Sequence, residues 1–91
     1  MNKILFFTDK EKQSLIDEIN NQLKIKNHLL KVLYENKRHK LKDYERNKLA
    51  NKYKDQIILL DNMKGCCNTV KNRDDIHRLN SIIEFYNKLQ S

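Results

Sequence analysis

Across ninety-one residues there is no proline and one glycine, Gly65, and this near-absence of chain-breaking residues limits the fold more than any other feature. Hairpin turns and sheet boundaries depend on glycine, proline and Asn-Gly or Asp-Gly pairs, whereas uninterrupted helices need none of them. The expectation is an all-α chain: a three-helix bundle, or a long helical hairpin plus a third helix. A domain of this size buries only about 60–65% of the surface its unfolded chain exposes. Its core is therefore modest, and a homodimer is one way to enlarge it.

Capping and periodicity place the helices at about 9–36, 41–64 and 73–90. Thr8-Asp9-Lys10-Glu11 reads as a capping box, the threonine hydroxyl taking the amide three residues on and the glutamate reaching back. Leu15, Ile16, Ile19, Leu23, Leu30, Leu33 and Tyr34 recur at helical spacing, and Ile25, Leu29 and Val32 widen the stripe enough for more than one neighbour. Leu41, Tyr44, Leu49, Tyr53, Ile57, Leu60 and Met63 form a second stripe, and the run from Ile57 to Leu60 is apolar all round, as in a well-buried stretch. Gly65 reads as a left-handed stop, with Cys66 to Asn72 as the loop that follows. Ile76, Leu79, Ile82, Ile83, Tyr86 and Leu89 mark the inward side of the third helix.

No breaker separates the first two helices. Their stripes nevertheless differ in phase by two residues, about 200° around a straight helix, so a bend near 35–41 is the favoured expectation, the alternative being a single rod whose two faces a dimer would bury. Residues 1–7 stand apart as an N-terminal arm ahead of one helical domain, 8–91. Its apolar run, Ile4-Leu5-Phe6-Phe7, is too short for a signal peptide, and no transmembrane segment follows. The arm is expected either to pack back on the bundle or to insert Leu5, Phe6 and Phe7 into a partner as a short strand or plug.

Positive charge is concentrated. Residues 24–54 carry eleven basic side chains against three acidic ones, a net of +8, while the chain as a whole is +7. A sequence-tolerant nucleic-acid-binding surface would draw on Lys24, Lys31, Arg38, Lys40, Lys42, Arg46, Lys48 and Lys52 as phosphate contacts. Only four of the nineteen basic residues are arginine, which argues against bidentate base or phosphate readout, and lysines also simply solvate exposed faces.

Catalytic and metal-binding patterns are missing. Cys66-Cys67 lacks the two-residue spacer that lets thiolates share a zinc ion, and His28, His39 and His77 have no nucleophile beside them. Asp17-Glu18 and Asp74-Asp75 fit the acidic bias of helix N-terminal turns. No metal, no cofactor and no enzymatic activity is expected, and adjacent cysteines suit a reducing, cytoplasmic setting better than a secreted disulfide framework. The Lys/Asn/Ile-rich composition matches AT-rich codons. A small helical protein that binds a cellular protein or complex is therefore the leading expectation, as a regulator or inhibitor from a phage or other mobile element, with the nucleic-acid reading second.

Overall fold

A computed structural model describes residues 1–4, 8–35 and 42–90 and places three helices on them: α1 (Asp9–Glu35), α2 (Asp43–Thr69) and α3 (Arg73–Gln90). The chain is an all-α three-helix bundle, with no strand among the described residues. It measures 48 × 19 × 18 Å. Helices of 27, 27 and 18 residues explain the elongation, since each residue adds about 1.5 Å of rise. α2 is the central element, packing along α1 on one side and α3 on the other. α1 and α2 are thus two helices packed along each other, not one rod, and the bend expected near 35–41 lies, past Glu35, outside the described residues.

Local chemistry starts α1 and α3. The Thr8 hydroxyl accepts the Glu11 amide at 3.2 Å and donates to the Glu11 carboxylate at 3.3 Å, a variant of the expected capping box. Asn72 caps α3, its Oδ1 accepting the Asp75 amide at 3.0 Å, while Asp75 accepts the Lys71 amide at 2.9 Å. α2 begins at Lys42 with no side-chain cap.

The end of α2 departs from the sequence-based expectation. Gly65 is not a left-handed stop: it has no positive φ, and the helix continues through Cys66 and Cys67 to Thr69, leaving only 70–72 as the connection. Packing overrides the glycine signal. Leu60, Met63 and Cys67 lie one turn apart on one face, and all three are buried in the core, so ending the helix at residue 64 would withdraw Cys67 from it. The Thr69 hydroxyl donates to the carbonyls of Gly65 and Cys66, occupying acceptors of the last turn.

The core comprises Leu15 and Ile19 of α1, Leu60, Met63 and Cys67 of α2, and Leu79, Ile83 and Tyr86 of α3. Each large apolar side chain buried there stabilises the fold by about 1.5–3 kcal/mol. The expected second stripe is only partly right. Tyr44 is exposed and so is Ile58 within the run that was to be buried all round, while Ala50 and Gln56 are buried. A central helix with neighbours in two directions turns its buried face along its length, and hydropathy alone does not track that turn.

The N-terminal residues lie along α3. Asn80 accepts the Ile4 amide and donates to the Ile4 carbonyl, both at 2.8 Å. Asn87 does the same for Met1, accepting from its amino group at 3.0 Å and donating to its carbonyl at 2.8 Å. Seven helical residues and three extended residues each span roughly 10 Å, so two asparagines a heptad apart can grip one extended segment twice. Lys3 adds an ion pair to Glu84 at 3.8 Å.

Candidate functional site

The three helices do not cover one another equally. α3 ends at the level of Gln56 on α2, whose Nε2 donates to the Leu89 carbonyl at 3.1 Å, and of Gln22 on α1, whose Oε1 accepts from the Tyr86 hydroxyl at 3.3 Å. Both longer helices extend past that level, α1 on to Glu35 and α2 back to Asp43. Among the described residues, one half of the molecule is a three-helix bundle and the other a two-helix hairpin.

Heptad spacing identifies what lies past the level of Gln22 and Gln56, because seven residues return a helix to nearly the same direction. On α1, Gln22 faces α3, and Leu29 sits two turns further on in the same line. Ile25 and Val32 continue the adjacent line of Glu18. All three are exposed, Ile25 at 42% and Leu29 and Val32 each at 36%. On α2, Asp55 and Leu59 border α3 at Phe85 and Leu89, and Lys48 and Lys52 lie two turns before them. Leu49, half-buried, lies two turns before Gln56. The α1 side is therefore apolar, while the α2 side carries charges of both signs, Glu45, Lys48, Lys52 and Asp55.

Lys26 lies between the two sides. It sits a heptad after the buried Ile19 and a heptad before the buried Leu33, which places an amine on the inner line of α1. Partial burial lowers its pKa, and the Lys52 charge nearby lowers it further. Two buried polar atoms without a hydrogen-bond partner, Arg46 Nε and Gln56 Oε1, belong to this half of α2 or its boundary. At the opposite edge, Lys54 Nζ stands 5.6 Å from the Tyr34 ring centre in a cation–π contact.

The basic residues singled out from the sequence divide among different faces. Lys24 and Lys31 are exposed two residues from Lys26 and Leu33, about 200° around α1, and so point away from α2. Lys48 and Lys52 lie on the α3 side of α2, Lys42 is exposed at the start of α2, and Arg46 is half-buried, 3.8 Å from Asp43. Arg38 and Lys40 lie outside the described residues, as do Leu5, Phe6 and Phe7 of the proposed partner-binding arm.

A second apolar opening lies on the α2–α3 seam. A cleft of about 270 Å³ is lined by Asp55, Ile58, Leu59, Phe85 and Leu89, with Ile58 and Phe85 each 57% exposed. A larger open cleft of about 530 Å³ lies between the arm and the first turns of α1, where Lys3, Lys10, Glu11 and Glu18 mix both charges.

The cysteines sit on α2, not in the expected loop. Cys67 is buried and Cys66 half-buried, and burial pushes the Cys67 thiol up to about 11, with Cys66 adding to the rise and Lys12 opposing it. Burial also raises the Tyr86 phenol, against a hydrogen bond from Gln90. Among the described residues no three His, Cys, Asp or Glu side chains gather as a metal site would require, and no helix is long and apolar enough to cross a membrane. Compared with known protein families, curated proteins and solved structures, the chain matches none.

Proposed function

We propose that this chain is a non-enzymatic interaction protein that docks on a cellular protein or complex through apolar side chains its own bundle leaves uncovered. One observation carries the reading: an otherwise Lys/Asn-rich surface exposes Ile25, Leu29 and Val32 along one helix, and Ile58 and Phe85 along one seam. Scattered single apolar residues are ordinary on a monomer, but grouped ones at helical spacing suit a partner. Small size and AT-rich composition fit a regulator or inhibitor carried by a phage or other mobile element and acting in the cytoplasm. The nucleic-acid reading ranks second, because Lys24 and Lys31 face away from Lys48 and Lys52, so the lysines do not share one phosphate-tracking face.

The test is site-specific photocrosslinking in host lysate, with a benzophenone amino acid at position 29, at position 85, and at the exposed position 20 on the outer face of α1. Protein adducts at 29 or 85 and none at 20 are expected. No adduct at either apolar position, or adducts that disappear on nuclease treatment, would overturn the reading.

A further inference from the structure

We infer that the line of α3 carrying Asn80, Glu84 and Asn87 is a main-chain-reading site for an extended peptide, and that a proline-containing segment of a partner protein takes it by displacing residues 1–4. The site is separate from Ile25, Leu29, Val32, Ile58 and Phe85, so it goes beyond the docking proposed above. The residues bound there show what it reads. Asn80 exchanges two hydrogen bonds with the main chain of Ile4, and Asn87 exchanges two with that of Met1. Met1 and Ile4 are half-buried and pack on the core, whereas Asn2 and Lys3 are exposed. Main-chain bonds and burial thus repeat every three residues, the period of a polyproline II helix, where a β-strand would turn residues 1 and 4 to opposite faces. Three residues of such a helix rise about 9 Å and one heptad of α3 about 10 Å, so the two registers agree.

These contacts select the occupant. The N–H groups that Asn87 and Asn80 accept belong to the first and fourth positions, which also carry the apolar side chains, so proline fits at the second or third. A basic residue suits the third position, where Lys3 pairs with Glu84 at 3.8 Å. Proline also biases the residue before it toward the same extended conformation. This chain contains no proline, so its own residues 1–4 bear the full entropy of ordering, whereas a proline-containing segment arrives partly ordered. The tether gives residues 1–4 an advantage equivalent to a local concentration on the order of millimolar. A partner segment offsets it through preorganisation and through contacts made beyond the four residues. Residues 1–4 of a second copy have neither the tether nor the preorganisation, and are the weaker occupant.

The experiment titrates the full, ¹⁵N-labelled chain with three synthetic peptides of about eight residues. The first carries Met-Pro-Lys-Ile at its centre, the second has proline in place of that isoleucine and so lacks the N–H that Asn80 accepts, and the third has aspartate at both apolar positions. The first is expected to shift the side-chain amide signals of Asn80 and Asn87 and to bind about tenfold or more tightly than either control. Ile4→Ser, which loosens the resident segment, should tighten its binding about tenfold, and Asn80→Ala added to Ile4→Ser should remove that gain. Lys3→Glu sets like charges beside Glu84 without touching the core and should act in the same direction as Ile4→Ser, while an unchanged helical circular-dichroism spectrum shows that each variant folds. No shift of the two asparagine signals in either arm variant at millimolar peptide, equal binding of the second peptide, or an affinity indifferent to both Ile4→Ser and Lys3→Glu would overturn the proposal. Dimers that form by exchange of residues 1–4 between copies would overturn it in favour of self-association.

Discussion

The two halves of this bundle are built from the same pair of helices, yet they solve burial differently. Around Ile19, Leu60, Met63 and Cys67, α3 closes the third side, and Leu79, Ile83 and Tyr86 complete a core in which most side chains are wholly excluded from solvent. In the hairpin half, Leu33 and Ala50 are the buried apolar side chains among the described residues, Lys26 occupies an inner position, and three large aliphatic side chains face outward. A two-helix contact has one seam, and residues beside that seam stay half wet whatever their hydrophobicity. The closed half therefore holds most of the buried core, while the open half leaves large apolar side chains exposed.

Paired core truncations test this difference most directly. Leu60→Ala in the closed half is expected to cost about 3–4 kcal/mol, because three helices hold the cavity open, whereas Leu33→Ala in the open half should cost about 2 kcal/mol, since solvent and the neighbouring side chains can fill the gap. Urea unfolding of both variants checks this. Equal losses would break the comparison.

Alkaline pH should weaken the closed half next. The folded state holds the Cys67 proton up to about 11 against an ordinary value of 9.0, so between these values the unfolded chain releases a proton that the folded chain keeps. Stability is then fully present below about pH 9 and falls as pH rises through the window, by about 2 kcal/mol. Denaturation midpoints measured at pH 8, 9.5 and 11 should drop, and Cys67→Val should flatten that part of the slope. A stability unchanged between pH 9 and 11 would mean that Cys67 is less enclosed than its position in the core implies.

The smallest expected effect concerns the helix that both halves share. A methyl group added at Gly65 meets no atom within 4 Å, and its backbone is not left-handed, so Gly65→Ala should stabilise the chain by about 0.5–1 kcal/mol through helix propensity. A rise of a few degrees in the thermal midpoint would agree with a continuous α2. A fall would point to strain at residue 65 and reopen the case for a helix end there.

How much of this was legible in the chain depends on how local the cause is. The caps of α1 and α3 were either written in the sequence or lay within its local turn chemistry, and Leu15, Ile19, Leu79, Ile83 and Tyr86 took the buried places that their spacing indicated. α2 was harder. Gly65 is a stop only when nothing beyond it is worth burying, and Cys67 supplies a reason to continue. Ala50 and Gln56 do not advertise themselves as core residues, and Tyr44 and Ile58 looked more buried than they are. Asn80 and Asn87 stood in the sequence a heptad apart, but nothing local marked them as clamps on Met1 and Ile4.

By itself, the sequence determined that this protein is helical and that its positive charge lies in residues 24–54, and it favoured three helices with a bend between the first two over a continuous rod. These follow from missing breakers, from a 3.6-residue period and from counting, all of which act along the chain. Which apolar residues stay exposed was decided only in three dimensions. Ile25, Leu29 and Val32 also recur at helical spacing, yet they stay exposed while Leu15 and Ile19 of the same helix meet side chains of α2 and α3 in the core. Which faces meet, and where one helix runs out against another, are properties of packing that a period along one chain does not carry.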